Sequence, residues 1–181
     1  MRNFLVRSNA LFMALFFCLA FSTPAEARDG FETSSDVLAI VLPATAAAIT
    51  LSAKDNEGLM QLAESGALTL ATTYGLKYTV NATRPNGGKH SFPSGHTSVA
   101  FASAEFIRER YGWSYGIPAY IAASFTGYGR VESKQHYTRD VLAGAAIGIG
   151  SSFLFTTPNK EWQIKPQVAS SFYGVGLSRS W

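Results

Sequence analysis

Arg84-Pro85-Asn86-Gly87-Gly88-Lys89-His90-Ser91-Phe92-Pro93-Ser94-Gly95-His96 is the stretch that decides how this chain is read. A loop rich in glycine and basic residues runs into Pro93-Ser94-Gly95-His96. Behind it, residues 97–110 carry apolar side chains at helical spacing. Pro, Ser and Gly just ahead of such periodicity predict a helix start, with Ser94 as the cap. A helix N-terminus presents free backbone N–H groups and the positive end of the macrodipole. Gly95 lets an anion come close to that backbone. His96 then sits in the first turn, beside the anion. Further along come Arg130, His136 and Asp140. Four residues apart on a predicted helix, His136 and Asp140 share a face, so the carboxylate can orient the imidazole.

Outward from this centre, apolar residues recur at three- and four-residue steps over 36–52, 57–78, 94–111, 117–128 and 136–155. The predicted fold is all-α, a bundle of five to six helices. The short polar breaks Lys54-Asp55-Asn56 and Gly112-Trp113-Ser114 place consecutive helices side by side. Pro158 ends the last helical run. Beyond it Tyr173, Val175, Leu177 and Trp181 alternate with Gly and Ser, which predicts a strand or short hairpin in a β-like tail over 158–181.

A chain of 181 residues with 47% hydrophobic and 15% charged residues is one helical domain plus appendages. A net charge of +3, with the cations near the motifs, describes an anion site and not a nucleic-acid surface. Arg2 and Arg7, the apolar run 10–21 and Pro24-Ala25-Glu26-Ala27 form the three parts of a signal peptide over 1–27. That leader predicts export to the periplasm or cell envelope, with a helical domain over 28–157. It also contains Cys18, the only cysteine, so no thiol chemistry is expected of the mature chain. Mean hydropathy is +0.08. Glu64, Glu105 and Arg108 lie inside helical runs, which is costly in lipid. The sequence therefore favours a soluble or peripherally membrane-associated domain, with an integral membrane protein as the alternative.

Lys77, six residues, Arg84-Pro85; then Pro93-Ser94-Gly95-His96; then Arg130, five residues, His136, three residues, Asp140: together these resemble the three-part signature of the type 2 phosphatidic acid phosphatase superfamily. That superfamily also holds class A acid phosphatases and vanadium haloperoxidases. The match covers residues 77–140. It departs from the pattern at Gly129, where a Ser usually precedes the Arg, and in a connection of only seven residues, 86–92.

The resemblance implies a phosphatase acting on phosphomonoesters or diphosphates, lipid-linked ones foremost. Lys77, Arg84 and Arg130 would surround the phosphoryl oxygens, aided by Ser94 and the N–H groups of Gly95 and His96. His136 would be the nucleophile, forming a phosphohistidine. Asp140 would orient it, and His96 would protonate the leaving oxygen and then activate water. The chemistry is expected to need no metal and no cofactor, with vanadate an inhibitor. The alternatives are a vanadium-dependent haloperoxidase, a metal hydrolase using His96, His136 and Asp140 as ligands, and a non-catalytic protein that binds anionic lipid. His90, outside the motifs, reads as a surface loop residue.

Overall fold

The computed structural model describes residues 27–159, 162–169 and 172–179, so the 1–26 part of the predicted leader lies outside the described residues. Five α-helices follow one another: α1 Ala27–Ser52, α2 Asn56–Val80, α3 Gly95–Tyr111, α4 Trp113–Glu132 and α5 Thr138–Phe155. Strands β1 Trp162–Ala169 and β2 Phe172–Arg179 then pair antiparallel, Trp162 opposite Arg179 and Ala169 opposite Phe172. The bundle is all-α, as its periodicity predicts.

Three boundaries differ from those read in the sequence, and each bears on the site. Helix α1 begins at Ala27 and so includes Glu32 and Asp36 in its first turns. Helix α4 starts at Trp113 and holds Pro118 inside it; one turn past the free N–H groups of the start, it forgoes one backbone hydrogen bond. Helix α5 starts at Thr138 with Tyr137 as its cap residue, which leaves His136 in the loop before it. His136 and Asp140 are therefore not an i,i+4 pair on one helix.

Adjacency in sequence does not decide the packing either. Helix α3 is central and packs against all four others, while the successive pairs α1–α2 and α4–α5 barely touch. For the α3–α5 pair the cause is side-chain size. A Cβ on Gly144 would lie 2.5 Å from the Ser94 carbonyl oxygen, and one on Gly148 would lie 2.2 Å from that of Ser98. Only glycine at these two positions lets the α5 backbone reach the start of α3. Two hydrogen bonds cross the seam: Ser94 N–H to the Asp140 carbonyl at 2.9 Å, and Ser152 Oγ to the Ala102 carbonyl at 2.7 Å.

Along α2 and α5 the inward faces are made of small and hydroxylated residues, and the large apolar side chains point outward. On α2, Ser65, Thr69 and Thr73 are buried while Leu70, Tyr74, Tyr78 and Val80 are exposed. On α5, Gly144, Gly148, Ser151 and Ser152 face inward while Leu142, Phe153 and Leu154 face outward. The buried hydroxyls are satisfied locally: Ser65 and Thr69 donate to the carbonyl four residues back at 2.7 Å, and Thr73 bonds Ser98 at 2.9 Å. A compact apolar cluster of Leu38, Leu42, Ala46, Phe106, Ile107 and the α4 alanines fills the other half of the bundle. At the end away from Gly95, Arg110 binds Asp55 through Nε at 2.7 Å and Nη2 at 2.5 Å. The guanidinium holds the Asp55 carboxyl down at about 2. That buried fork ties the α1–α2 turn to the end of α3.

Candidate active site

The site lies at the opposite end of the bundle. There α2 ends, α3 begins, α4 ends, and the loop before α5 crosses. A cavity of about 430 Å³ opens at this end. Its lining combines polar groups, Lys77, Arg84, His90, His96 and His136 with Gly95, and apolar ones, Ile40, Leu70, Tyr74 and Val99. Ser94, Arg130 and Asp140 are buried and do not line it. Five motif residues scattered over 60 positions, Lys77, Arg84, Gly95, His96 and His136, thus meet around one opening, with Ser94, Arg130 and Asp140 buried near them in sequence.

Lys77 Nζ donates to the carbonyls of His90 at 3.0 Å and Pro93 at 2.7 Å. It pins the 81–94 loop against α2 and keeps its third N–H for a ligand. Arg84 Nε donates to the Lys89 carbonyl at 3.1 Å, and Nη1 donates to Gln135 Oε1 at 2.7 Å. Gln135 Nε2 in turn donates to Glu32 Oε1 on α1 at 2.9 Å. The fork of Arg84 is thereby fixed in direction with Nη2 still open. Ser94 occupies the cap position of α3 as predicted, but its hydroxyl does not cap. It accepts from Thr97 Oγ1 at 2.9 Å, so the N–H groups of the first turn stay available.

His136 is almost wholly buried. Its pKa is pushed down to about 3, by burial first and then by the positive charges of Lys77, Arg84 and Arg130. Its imidazole is therefore neutral across the physiological range and carries a free lone pair. Asp140 is fully buried. Its Oδ2 accepts from Ser91 Oγ at 2.5 Å and from the Tyr137 N–H at 3.0 Å, closing a capping box on α5. The gap from this oxygen to His136 Nδ1 is 3.9 Å, and Nδ1 has no hydrogen-bond partner. The carboxylate is aimed at the ring without bonding it. Catalytic hydrogen bonds commonly tighten only with ligand bound.

Several residues of the site are not legible as motif. His90, read as a surface loop residue, lines the cavity; its backbone is left-handed at φ 57°, its Nδ1 lies 3.1 Å from the Lys77 carbonyl, and its ring packs edge-on to Tyr78. Ser91 anchors Asp140. Asp36 reaches in from α1: its Oδ1 lies 2.5 Å from Arg130 Nη1 and 3.2 Å from His96 Nε2. The signal available in the sequence was a pair of carboxylates, Glu32 and Asp36, one turn apart ahead of an apolar run.

A helical bundle whose end gathers three cationic side chains, a helix N-terminus and a buried neutral histidine is a phosphoryl-transfer site in form. The profile of the PAP2 superfamily matches residues 86–163. A lipid A 4'-phosphatase of Helicobacter pylori is 33% identical over 169 residues, 83% of this chain and 85% of that protein. A lipid A 1-phosphatase of Porphyromonas gingivalis is 43% identical over 94 residues, 47% of this chain and 21% of that longer protein. The crystal structure of Aquifex aeolicus LpxE superposes with a TM-score of 0.63 at 22% identity, over 78% of this chain and 92% of that one, and so shares the fold. The chain belongs to the PAP2 superfamily. It is a phosphatase, a hydrolase of phosphoester bonds.

Proposed function

We propose that the protein is a membrane-embedded phosphatase of the cell envelope. It removes phosphate from a lipid-linked phosphomonoester or diphosphate through a phosphohistidine on His136, without a metal. The observation that carries this reading is the cavity itself: one opening lined both by the cationic Lys77 and Arg84 and by the apolar Ile40, Leu70, Tyr74 and Val99. A phosphate held by the cations has apolar side chains within the same opening for its leaving group, which is chemistry for a hydrocarbon chain. The named activities of the relatives, lipid A 4'- and 1-phosphatase, support a lipid substrate and make lipid A the first to test.

In the first half-reaction Nε2 of His136 attacks phosphorus and forms the P–N bond. The P–O bond to the leaving group breaks, and the leaving oxygen takes its electron pair and the proton of His96. Lys77, Arg84, Arg130 and the N–H groups at the start of α3 hold the equatorial oxygens as charge develops. Asp140 holds the proton on Nδ1 and stabilises the charge the ring acquires. In the second half a water attacks phosphorus, gives its proton to His96, and the P–N bond breaks. The three fixed cations supply the charge stabilisation that a divalent ion provides elsewhere. They also disfavour a cation beside them. Among the described residues no three His, Asp or Glu side chains converge as metal ligands.

The surface supports the membrane placement. Residues 30–52 are long and apolar enough to cross a bilayer. At 1.5 Å per residue all five helices are about 25 Å or longer, near the hydrocarbon thickness. Their outward faces carry Ile40, Leu70, Ile117, Ile121, Leu142, Phe153 and Leu154. The first turn of α3 and the 81–94 and 133–137 loops form the end of the bundle outside the span, and the substrate phosphate reaches them from the membrane surface. An exported position for this end fits the leader-like sequence of 1–27.

The test is phosphate release by the full chain in detergent, from lipid A, an isoprenyl diphosphate, phosphatidic acid and a soluble chromogenic ester, with and without excess chelator. Lipid turnover that survives chelation, together with an acid-labile phosphoenzyme missing in His136→Ala, is the expected result. Turnover persisting in His136→Ala, or metal-restored activity, overturns the mechanism.

A further inference from the structure

Asp36 is a carboxylate inside an anion site, and nothing in the three-part signature accounts for it. Its side chain is 47% exposed and sits at the cavity edge. One oxygen, Oδ1, serves both the phosphate-binding Arg130 Nη1, at 2.5 Å, and His96 Nε2, at 3.2 Å. Ser35 on the same helix turn lies 3.5 Å from the same Arg130 nitrogen. An acidic side chain here weakens the pocket's hold on phosphate, since like charges repel. It must supply something that offsets this.

What it supplies is visible in the charges around His96. The groups that face His96 are Asp36 on α1, Lys77 on α2, Arg84 in the loop and Arg130 on α4, with His136 across the cavity. Burial opposes a charge on His96 most, Arg130 next, and Lys77 and Arg84 add to it. Asp36 is the group among them that favours the protonated ring. A general acid must hold a proton before it can give one.

We propose that Asp36 is a positioning residue for the phosphatase reaction: it holds the proton-bearing Nε2 of His96 and the fork of Arg130 together until the incoming phosphoryl group displaces it from Arg130. The inference rests on the mechanism above. Phosphate arriving on Arg130 competes for the nitrogen that Asp36 occupies, and frees the His96 proton toward the leaving oxygen as it does so. One bond exchange thereby couples substrate arrival to readiness of the acid. Asp36 itself neither gains nor loses a proton in the cycle.

The test is Asp36→Asn and Asp36→Glu in the full chain, with kcat, KM and the inhibition constant of inorganic phosphate measured between about pH 5 and 8.5, spanning the ordinary histidine range. Wild-type turnover and trapping of the His136 phosphoenzyme are measured first, so that failure of the underlying mechanism shows separately. For Asp36→Asn the expected result is a split. kcat falls about tenfold or more at the alkaline end and recovers toward the wild type at the acid end. Phosphate binds more tightly than in the wild type throughout. Asp36→Glu, which keeps the charge, restores part of the alkaline rate. A loss of kcat that is equal at every pH, a weakening of phosphate binding alongside it, or unchanged kinetics overturns the proposal. The first two would mark Asp36 as structural support for Arg130 alone.

Discussion

Asp140→Asn tests the buried end of the site most directly. The wild-type carboxylate oxygen lies 3.9 Å from His136 Nδ1, with both side chains buried. When His136 attacks phosphorus its ring becomes cationic, and that charge faces the carboxylate. At this separation and an effective dielectric constant near 20, the attraction is about 4 kcal/mol. Removing the charge therefore lowers kcat by about 10³-fold. The fold is expected to survive, because the amide oxygen can still accept from Ser91 Oγ and the Tyr137 N–H. The new NH₂ group replaces Oδ1, which accepts no hydrogen bond in the wild type and lies 3.7 Å from Arg139 Nε, at a cost of about 1–3 kcal/mol. Asp140→Ala is the contrast: it strips the acceptor from both donors and destabilises the start of α5 as well. Rapid-quench measurement of phosphoenzyme formation, with thermal melting of the same samples, separates the two effects. A kcat for Asp140→Asn within about fivefold of wild type would refute the electrostatic role. So would a rate loss that disappears once the folded fraction is counted.

Gly148→Val should destabilise the bundle by several kcal/mol or prevent folding, since a Cβ there meets the Ser98 carbonyl oxygen at 2.2 Å; a melting temperature near wild type would show that α5 can retreat from α3. Orthovanadate should inhibit about 10²-fold more tightly than phosphate, as a five-coordinate analogue with His136 at its apex; the gain should vanish in His136→Ala, as measured by direct binding. Because His136 is held down at about 3, its free base persists to low pH, so kcat should show no acid limb from this residue between about pH 4.5 and 7; a limb near the ordinary histidine value would place His136 in a different environment. Carbonate washing should leave the protein in the membrane and detergent should release it, whereas release by carbonate would return it to a peripheral position.

The reaction class was present in the sequence because it depends on residue types at short range. Pro93-Ser94-Gly95-His96 makes a helix N-terminus by local propensity alone, and the helical spacing of apolar residues makes five helices without reference to one another. The spacing from Arg130 to His136 to Asp140 also survives, although the three residues come from a helix end, a loop and a helix start. Tertiary structure decided everything that depends on which face of a helix points inward. Mean hydropathy counts apolar residues and does not record their direction. Ser65, Thr69 and Thr73 lower the average of α2 while facing inside, and Leu70, Tyr74 and Tyr78 face out. That is why a chain reading as soluble or peripheral carries an apolar outer surface. Asp36 lies 94 residues from Arg130 in sequence, and His90 reads as loop filler until Lys77 draws its carbonyl in. Such contacts are set by where α1 and α2 lean against α3, and Gly144 and Gly148 fix how close α5 comes. The local sequence of a helix specifies its ends and its period; the partners it meets depend on the volumes of side chains on other helices, and only the packed bundle reveals them.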